Sequence, residues 1–439
     1  MRGNRHFPGL IGHLTFGRLI GCCALVLSCA PDGPTERASP IRRDSSGISI
    51  IESPSPSWSS NSASEVIVSA ELVIGSPRHI LPAEDSSSRR SEETTLDRVV
   101  DVRVLPGRRI VVADAGLNRV MLFDSTGAME RSFLRRGEGP GEMSNIVGME
   151  TCGGGDSIVV ADRFRVAVFN SEGEFARDAQ YRTGGQLRSL VGVSSDCRRL
   201  LVVHTVQPPP QGSVGLVEDA LSWLDPLGQI TDPVVSASAF EVWTRQLYGA
   251  ERPFVVPWGT FRTYSLIRDT IVAGYGRLPE LRRYDASGKI LSITRWDQEP
   301  RPVTHANRSR YESIRREWLA SMPDDPESRF LFPDLHEYPD LPATFPLFDR
   351  ILVADDGTTW LRSFPDNSFG AFDARLRHRP VFAETWSIFD SEGVWLGELA
   401  LPERFELDAV AGSRLYGVSR DADEVQTVQV LHFHTPNDT

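Results

Sequence analysis

The chain has 439 residues, 40% of them hydrophobic and 24% charged, and a formal net charge of −12 at pH 7. This length is enough for two ordinary domains or for one large all-β domain with a sizeable core. The acidic balance argues against general nucleic-acid binding, which needs a basic face, and no apolar run after the N-terminus is long enough to span a bilayer.

Residues 1–29 have the pattern of a bacterial lipoprotein signal peptide. Arg2, Arg5 and Arg18 make the start positive, and the apolar run 19–27 is too short for a transmembrane helix. The run leads into Val26-Leu27-Ser28-Cys29, which resembles a lipobox, the motif whose cysteine is lipidated and becomes the mature N-terminus. We therefore predict lipidation at Cys29, which would hold the protein to a membrane of the bacterial cell envelope, in the periplasm or at the outer membrane.

Two alternatives to this anchor stay open. Leu19-Ile20-Gly21-Cys22 is a second lipobox candidate, and the segment also fits an ordinary cleaved signal peptide. Residue 30 is Ala rather than Asp, so an inner-membrane retention signal of the enterobacterial kind is absent. Residues 30–64 are rich in Ser, Pro, Arg and Glu, a composition that predicts a disordered tether before a folded domain at 65–435.

Cysteine use fits an exported protein. If Cys29 carries the lipid, Cys152 and Cys197 are the cysteines that remain in the mature chain, and they fall in the same region of successive repeats. A disulfide between neighbouring repeats is one interpretation, and two separate buried thiols are the other.

Similar turn segments recur through the chain, each between two apolar, strand-like runs. They lie at residues 123–127, 169–173, 224–228, 284–288 and 389–393. A strand-turn-strand unit that repeats roughly every 45 residues is typical of a β-propeller blade. Six sets of strands can be placed, and the sixth lacks a fourth strand, which residues 65–74 could supply. We therefore predict an all-β fold, a six-bladed β-propeller of four-stranded antiparallel blades closed by an N-terminal strand.

Long insertions are predicted on one face of this propeller. They are residues 208–218 in the third unit, 365–383 in the fifth, and the connector 297–345 between the fourth and fifth units. The connector should begin with a helix capped by Thr304, with Tyr311 and Trp318 on its apolar stripe, packed as a lid or docking a partner. Insertions concentrated on one face predict that this face, here called the insertion face, binds the ligand.

The first repeat resembles a known family. Val111-Val112-Ala113-Asp114, Asn118-Arg119-Val120 and Phe123-Asp124, followed by Gly137-Glu138-Gly139-Pro140-Gly141-Glu142-Met143, are similar to an NHL-type repeat. They are more similar still to the bacterial lipoproteins known only as six-bladed β-propellers, in which the glycine-rich run connects two blades. The resemblance implies an exported bacterial propeller and no particular activity.

Candidate ligand-binding residues follow from the repeat. Six residues end the second strands of the six units and should surround the channel mouth on the insertion face; they are Asp114, Asp162, His204, Tyr275, Phe364 and Ser419. Of these, Asp114, Asp162 and His204 could together hold a divalent cation such as calcium, much as propeller lactonases hold a metal at the axis. The alternative is local, in which each aspartate accepts hydrogen bonds from its own loop and from Arg119 or Arg165.

The basic cluster Arg375, Arg377, His378 and Arg379 in the fifth-unit insertion is a candidate grip for an anionic ligand, with Arg377 at its centre. No Gly-x-Ser-x-Gly elbow and no His-Glu-x-x-His motif is present, so serine hydrolase and zincin readings have no support. The sequence therefore predicts a lipid-anchored binding protein for a small molecule or a protein, with no cofactor and no nucleic-acid partner. A metal-dependent hydrolase, lactonase or lyase is the alternative, with a cation at the channel mouth.

Overall fold

The computed structural model describes residues 39–58, 68–75, 95–162, 164–180, 187–207, 214–247, 250–326, 329, 332, 340–373, 376 and 379–434. Three strands precede the first repeat: β1 (Ile41–Ser45), β2 (Ile48–Ser53) and β3 (Val68–Ile74). The first sheet contains β4 (Val99–Leu105), β5 (Arg109–Asp114), β6 (Arg119–Phe123) and β7 (Met129–Phe133). A parallel pair, β8 (Arg135–Arg136) and β9 (Glu142–Met143), lies in the connector that follows.

The later repeats each form a sheet in the same way. The second contains β10 (Gly148–Cys152), β11 (Ser157–Ala161), β12 (Arg165–Asn170) and β13 (Phe175–Gln180). The third contains β14 (Leu187–Val193), β15 (Leu200–Gln207), β16 (Val214–Leu224), β17 (Val235–Leu247) and β18 (Ala250–Val255). The fourth contains β19 (Arg262–Ile267), β20 (Thr270–Tyr275), β21 (Glu280–Tyr284) and β22 (Ile290–Trp296).

The fifth sheet contains β23 (Phe348–Val353), β24 (Thr359–Ser363), β25 (Ala383–Phe389) and β26 (Trp395–Glu403). The sixth contains β27 (Phe405–Ala411), β28 (Arg414–Arg420), β29 (Gln426–Phe433) and, at its outer edge, β3. β3 pairs antiparallel with β29, from Val68 opposite Phe433 to Ile74 opposite Val428. The described chain is thus mostly β, in antiparallel and mainly four-stranded sheets, as predicted for a β-propeller.

The sheets are arranged around a common axis. The first strands of successive sheets lie side by side in the order β4, β10, β14, β19, β23 and β27, and β27 also lies beside β4. Apolar faces of neighbouring sheets pack together between them: Val111 and Leu122 of the first sheet belong to the same buried cluster as Ile158 and Phe169 of the second. Burial of each such side chain contributes about 1.5–3 kcal/mol.

The expectation of a disordered tether over residues 30–64 is wrong for the part that the structure describes. β1 and β2 form a hairpin, and β2 adds in parallel to the outer edge of β22. Further along, the backbone N–H of Trp58 donates to the carbonyl of Leu396, and the Trp58 ring is buried in a core cluster. Ile48, Ile50 and Ile51 are the apolar residues of β2. Their short apolar run stands among Ser and Pro residues, so it did not indicate a strand.

The third sheet also departs from expectation. Its fourth strand, β17, begins only at Val235, because Pro233 and the turn around Asp225 delay it. β16 and β17 have 11 and 13 residues, against 6 residues in each of the matching strands β12 and β13 of the second sheet. Part of the predicted insertion 208–218 is therefore strand, from Val214 onward.

The predicted helix is present as α1 (His305–Ala320), with a capping box between Thr304 and Asn307. Tyr311 is fully buried against Trp258 and Phe369, and Trp318 packs at the edge of the same cluster. The helix therefore covers the insertion face beside the fifth sheet. In the part of the chain that the structure describes, no helix is long and apolar enough to cross a bilayer.

Candidate functional site

The predicted site residue Asp114 is used by its own loop. Its Oδ1 accepts from the backbone N–H of Gly116, Leu117 and Arg98 at 2.9–3.2 Å, and its Oδ2 accepts from that of Asp97 at 3.1 Å. The carboxylate is fully buried. Arg119 donates through Nη2 to the carbonyl of Thr95, so this Asp114 loop is fixed by backbone amides.

Asp162 plays the same part in the second sheet, with help from Arg165. Its Oδ1 accepts from the backbone N–H of Phe164 and Arg165, and its Oδ2 lies 3.6 Å from the Arg165 Nε. The Arg165 guanidinium also donates to the carbonyls of Gly137 and Glu138. It thereby clamps the glycine-rich connector onto the β11–β12 loop.

The glycines of that connector have backbone and packing reasons. Gly141 has a φ of +69°, and a Cβ on Gly137 would lie 2.0 Å from the Glu142 Oε2. Glu142 accepts from the Gly139 N–H and pairs with Arg135, and these contacts lower its pKa. The connector is a structural crossing between two sheets.

His204 and Tyr275, two further predicted site residues, have contacts of their own away from the two aspartates. The His204 Nε2 lies 3.0 Å from the Ser222 Oγ, on the adjacent strand of its own sheet. The Arg262 guanidinium lies 5.6 Å from the Tyr275 ring centre, and burial raises the pKa of Tyr275 to about 12. Arg377 and the lipidation candidate Cys29 lie outside the described residues.

The structure therefore does not bring Asp114, Asp162 and His204 together as a set of metal ligands. Among the residues it describes, no group of three or more His, Cys, Asp or Glu side chains could hold a metal ion. The two aspartates belong to loops of separate sheets and direct their oxygens to amides.

Cys152 and Cys197 are joined as a disulfide, with Cα atoms 5.5 Å apart. Cys152 ends β10, and Cys197 lies in the turn between β14 and β15. The bond therefore links the second sheet to the third.

A pocket of about 640 Å³ opens on the insertion face, between the fifth and sixth sheets. We call it the insertion-face pocket. The long segment after β24 forms one wall, with Ser368, Gly370 and Phe382. Its lining includes four arginines and four phenylalanines: Arg362, Arg379, Arg404, Arg420, Phe261, Phe364, Phe382 and Phe405.

The lining of this pocket has five carboxylates and four arginines, but at one point of the rim two arginines meet a single carboxylate. Arg379 and Arg404 share one carboxylate, that of Glu424, at 3.0 and 3.3 Å. Arg379 is 73% exposed, so the donors that Glu424 does not use are accessible to a ligand. Two guanidiniums on one carboxylate favour an anion at this position.

A larger cavity, of about 1060 Å³, lies along the axis and opens among the short turns of the opposite face. We call it the turn-face cavity. All six first strands contribute to its wall, as do Pro106, Gly154 and Asp355 of those turns. The sequence analysis did not predict a cavity at this end.

A belt of ion pairs crosses the axis between the two spaces. We call it the charged belt; its members are Asp101, Arg103, Glu150, Asp349, Arg350, Arg362, Glu384, Glu406, Asp408 and Arg420. Arg103 pairs with Asp101 on its own strand and with Glu150 of the second sheet. Its Nη1 also donates to the backbone carbonyl of Asp408 in the sixth sheet.

The other half of the charged belt joins the fifth and sixth sheets. Arg350 donates to Asp408 at 3.0 Å and lies 3.8 Å from Glu406, which also pairs with Arg420. Arg362 pairs with Asp349 and with Glu384, and Glu384 accepts from the backbone N–H of Leu407. These contacts connect neighbouring sheets by charge as well as by apolar packing.

Burial changes the acidity of two members of the charged belt. Burial raises the pKa of Asp101 to about 7, with Asp408 and Glu150 adding to the rise and Arg103 opposing it. Burial raises the pKa of Asp408 to about 6, against the opposing effect of Arg350. Burial alone would lower the pKa of Arg103, but Asp101 and Glu150 raise it overall.

Sequence reasoning missed the charged belt. Nine of its ten members lie on first and second strands, and Glu384 lies on the third strand β25. An isolated charged residue among apolar residues looks there like a solvent-facing position of an alternating strand. The available signal was that Asp101, Glu150, Asp349 and Asp408 fall near the middle of first strands in four different repeats. In a propeller those positions face the axis.

No protein-family model and no curated protein matches the chain. Among solved structures, a Bacteroides fragilis protein considered to be exported is 10% identical with a TM-score of 0.44, over 88% of this chain and 99% of that one. A DUF4221 family member from Bacteroides vulgatus is 10% identical with a TM-score of 0.45, over 84% and 99%. The β-propeller domain of Cps50 (Swd1) from Myceliophteria thermophila is 10% identical with a TM-score of 0.37, over 83% and 99%. These likenesses are too distant to assign an activity, and the resemblance to NHL-type repeats stays a prediction.

Proposed function

We propose that this protein is a binding protein of the bacterial cell envelope, a six-bladed β-propeller held to a membrane by a lipid on Cys29. It takes an anionic small molecule in the insertion-face pocket and carries out no reaction there. The observation that carries the proposal is the rim of that pocket, where Arg379 and Arg404 share the single carboxylate of Glu424.

Six blades and ring closure are supported by the contacts of the sheets. The first strands of the six larger sheets neighbour one another in chain order, and β27 neighbours β4. The pairing of β3 with β29 gives the sixth sheet its outer strand and joins the N-terminal part of the chain to the C-terminal part.

An envelope location is supported by two independent features. The N-terminal pattern ending in Val26-Leu27-Ser28-Cys29 is that of a lipoprotein signal. The Cys152–Cys197 disulfide is a bond that persists in oxidising compartments. A Cys29→Ala variant should therefore move from the membrane fraction to the soluble fraction, while a Cys22→Ala variant should stay with the membrane.

The pocket suits a ligand that has both an apolar body and a negative charge. Phe364, Phe382 and Phe405 provide apolar contact area, and the arginines at the rim provide donors for a carboxylate or a phosphate. The predicted grip residue Arg377 falls in the same segment as the wall residues Ala371 and Arg379. A segment this long between two strands is typical of a binding loop rather than of a simple turn.

The test is binding of small anions to the full-length protein by isothermal titration calorimetry, with glucuronate and inorganic phosphate as probes. We expect binding of at least one probe to the wild type, and its loss in an Arg379→Ala/Arg404→Ala variant. Arg268→Ala, at the turn-face cavity, is the matched control and should bind as the wild type does. Absence of binding, or binding that survives loss of both arginines, would overturn the proposal.

A further inference from the structure

The charged belt contains more acids than bases. Its six carboxylates are Asp101, Glu150, Asp349, Glu384, Glu406 and Asp408, and its four guanidiniums are Arg103, Arg350, Arg362 and Arg420. Asp101, Asp408 and Glu384 are almost completely buried. A buried surplus of negative charge is expensive unless it is neutralised.

Within the described residues no group of three carboxylates or histidines in this region could hold a metal ion. Protonation of a buried carboxylate is another way to relieve such a surplus. We propose that the charged belt is a proton-binding site that links the affinity of the insertion-face pocket for its anionic ligand to pH. For the ligand this inference rests on the proposed function; for the protons it does not.

The two acids that take up the protons face charged groups on every neighbouring element. Asp101 on β4 faces Arg103 on the same strand, Glu150 on β10 and Asp408 on β27. Asp408 faces Arg350 on β23, Arg103 on β4 and Glu406 on its own strand. Each acid thus has another carboxylate near it, which favours its protonated form.

The link to the ligand is electrostatic and short. Asp349, Arg362, Glu384, Glu406 and Arg420 belong to the charged belt and also line the insertion-face pocket. Arg350 joins the two halves, since it contacts both Asp408 and Glu406. Asp408 and Arg350 themselves line the turn-face cavity, so the link runs through Glu406. When Asp408 is protonated, Arg350 is balanced by Glu406 alone, and Glu406 then offsets less of the positive charge of Arg420 at the pocket, so an anion binds more tightly.

Proton binding by the charged belt determines how stability and ligand affinity change with pH. The native state holds protons on Asp101 and Asp408 that the unfolded chain has already released, so the stability of the ligand-free protein is greatest at acidic pH and falls as the pH rises through about 7. An anionic ligand binds more tightly at low pH, and by reciprocity its binding draws protons onto the belt.

The first measurement uses the ligand-free full-length protein. Its melting temperature is recorded between about pH 5 and about pH 8, a range in which ordinary carboxylates are already ionised. We expect a fall toward high pH in the wild type and a clearly shallower fall in Asp101→Asn and in Asp408→Asn. Asp355→Asn, an exposed acid of the turn-face cavity, is the control and should keep the wild-type slope. A flat profile in the wild type, or slopes unchanged in both belt variants, would overturn proton binding by the belt.

The second measurement is the affinity for glucuronate or phosphate at the same pH values. We expect an affinity at least about fivefold higher at the acidic end, with the dependence reduced in Asp408→Asn and kept in Asp355→Asn. An affinity independent of pH would overturn the coupling even if the first measurement succeeds. Failure of both probes to bind at any pH would overturn the proposed function, while the melting profile still decides whether the belt binds protons.

Discussion

The loops of the first two sheets and the charged belt at the axis bury aspartates in opposite ways. Asp114 and Asp162 accept from backbone amides within their own loops, although Asp114 also reaches two amides before β4. Asp101 and Asp408 face arginines and carboxylates, several of them from other sheets. Each loop aspartate fixes the conformation of its own loop. The surroundings of the belt aspartates, by contrast, form only when the first, second, fifth and sixth sheets have come together.

Different junctions between sheets are therefore held by different kinds of contact. Fixed loops on the insertion face hold the connector between the first and second sheets, through Arg165 and through the Asn118 Nδ2, which donates to the Met143 carbonyl. The belt joins the first, second, fifth and sixth sheets. The junction between the second and third sheets, which the belt does not cross among the described residues, has the Cys152–Cys197 bond instead.

The largest expected effect comes from removing a cation of the belt. Arg103→Met should lower the free energy of unfolding by about 4 kcal/mol, because it removes the cation that pairs with buried Asp101 and with half-buried Glu150. Urea denaturation at neutral pH measures this change. The loss should shrink at acidic pH, where Asp101 becomes neutral.

Arg135→Met is the control for that variant. Arg135 pairs with Glu142 but is 82% exposed, so its loss should change the free energy of unfolding by less than about 1 kcal/mol. Equal effects of the two substitutions would mean that the belt is no different from a surface ion pair.

The disulfide tests the junction that the belt does not reach. Replacement of Cys152 and Cys197 by Ser should lower the free energy of unfolding by about 3 kcal/mol, because the bond closes a long loop in the unfolded chain. Chemical denaturation of this variant beside the wild type gives the value. A wild-type protein whose midpoint does not change on addition of a reductant would contradict the bond as a stabilising link.

The smallest of the three effects is expected at a loop aspartate. Asp114→Ala should lower the free energy of unfolding by about 2 kcal/mol, because it leaves the amides of Asp97, Arg98, Gly116 and Leu117 without an acceptor. Asp114→Asn keeps one acceptor oxygen and should lose less. Since the contacts are local, neither variant should change the pH slope that the belt produces.

Much of the repeat architecture could be predicted from local signals. Turns such as 124–127 carry an Asp whose side chain accepts from the next amides, and the helix over residues 305–320 has both a cap and an apolar stripe. The same local pattern predicts that Asp114 accepts from its own loop, as it does from Gly116 and Leu117. The donation also expected from Arg119 goes to the Thr95 carbonyl instead. The N-terminal hairpin was missed because β2 is stabilised by β22, more than 200 residues away in sequence, so its short apolar run had no local support.

The site was harder to predict than the fold. The repeat position of Asp114, Asp162 and His204 predicted a shared location but not the direction of each side chain, which depends on amides and hydroxyls nearby. To predict the charged belt, one must know which strand positions of different repeats meet at the axis. That depends on how the sheets are turned about the ring, and a single sequence does not specify it.

The account depends most on the proposed closed ring, whose sixth sheet is completed by the pairing of β3 with β29. Val73 and Gln429 are direct cross-strand partners, so a Val73→Cys/Gln429→Cys variant should form a disulfide under mild oxidation, seen as one linked peptide by mass spectrometry. A Val73→Cys/Gln246→Cys variant, which places the second cysteine on β17 of the third sheet, should not. Efficient linkage in the first variant alone is the predicted result; no linkage there, or equal linkage in both, would contradict the closed ring.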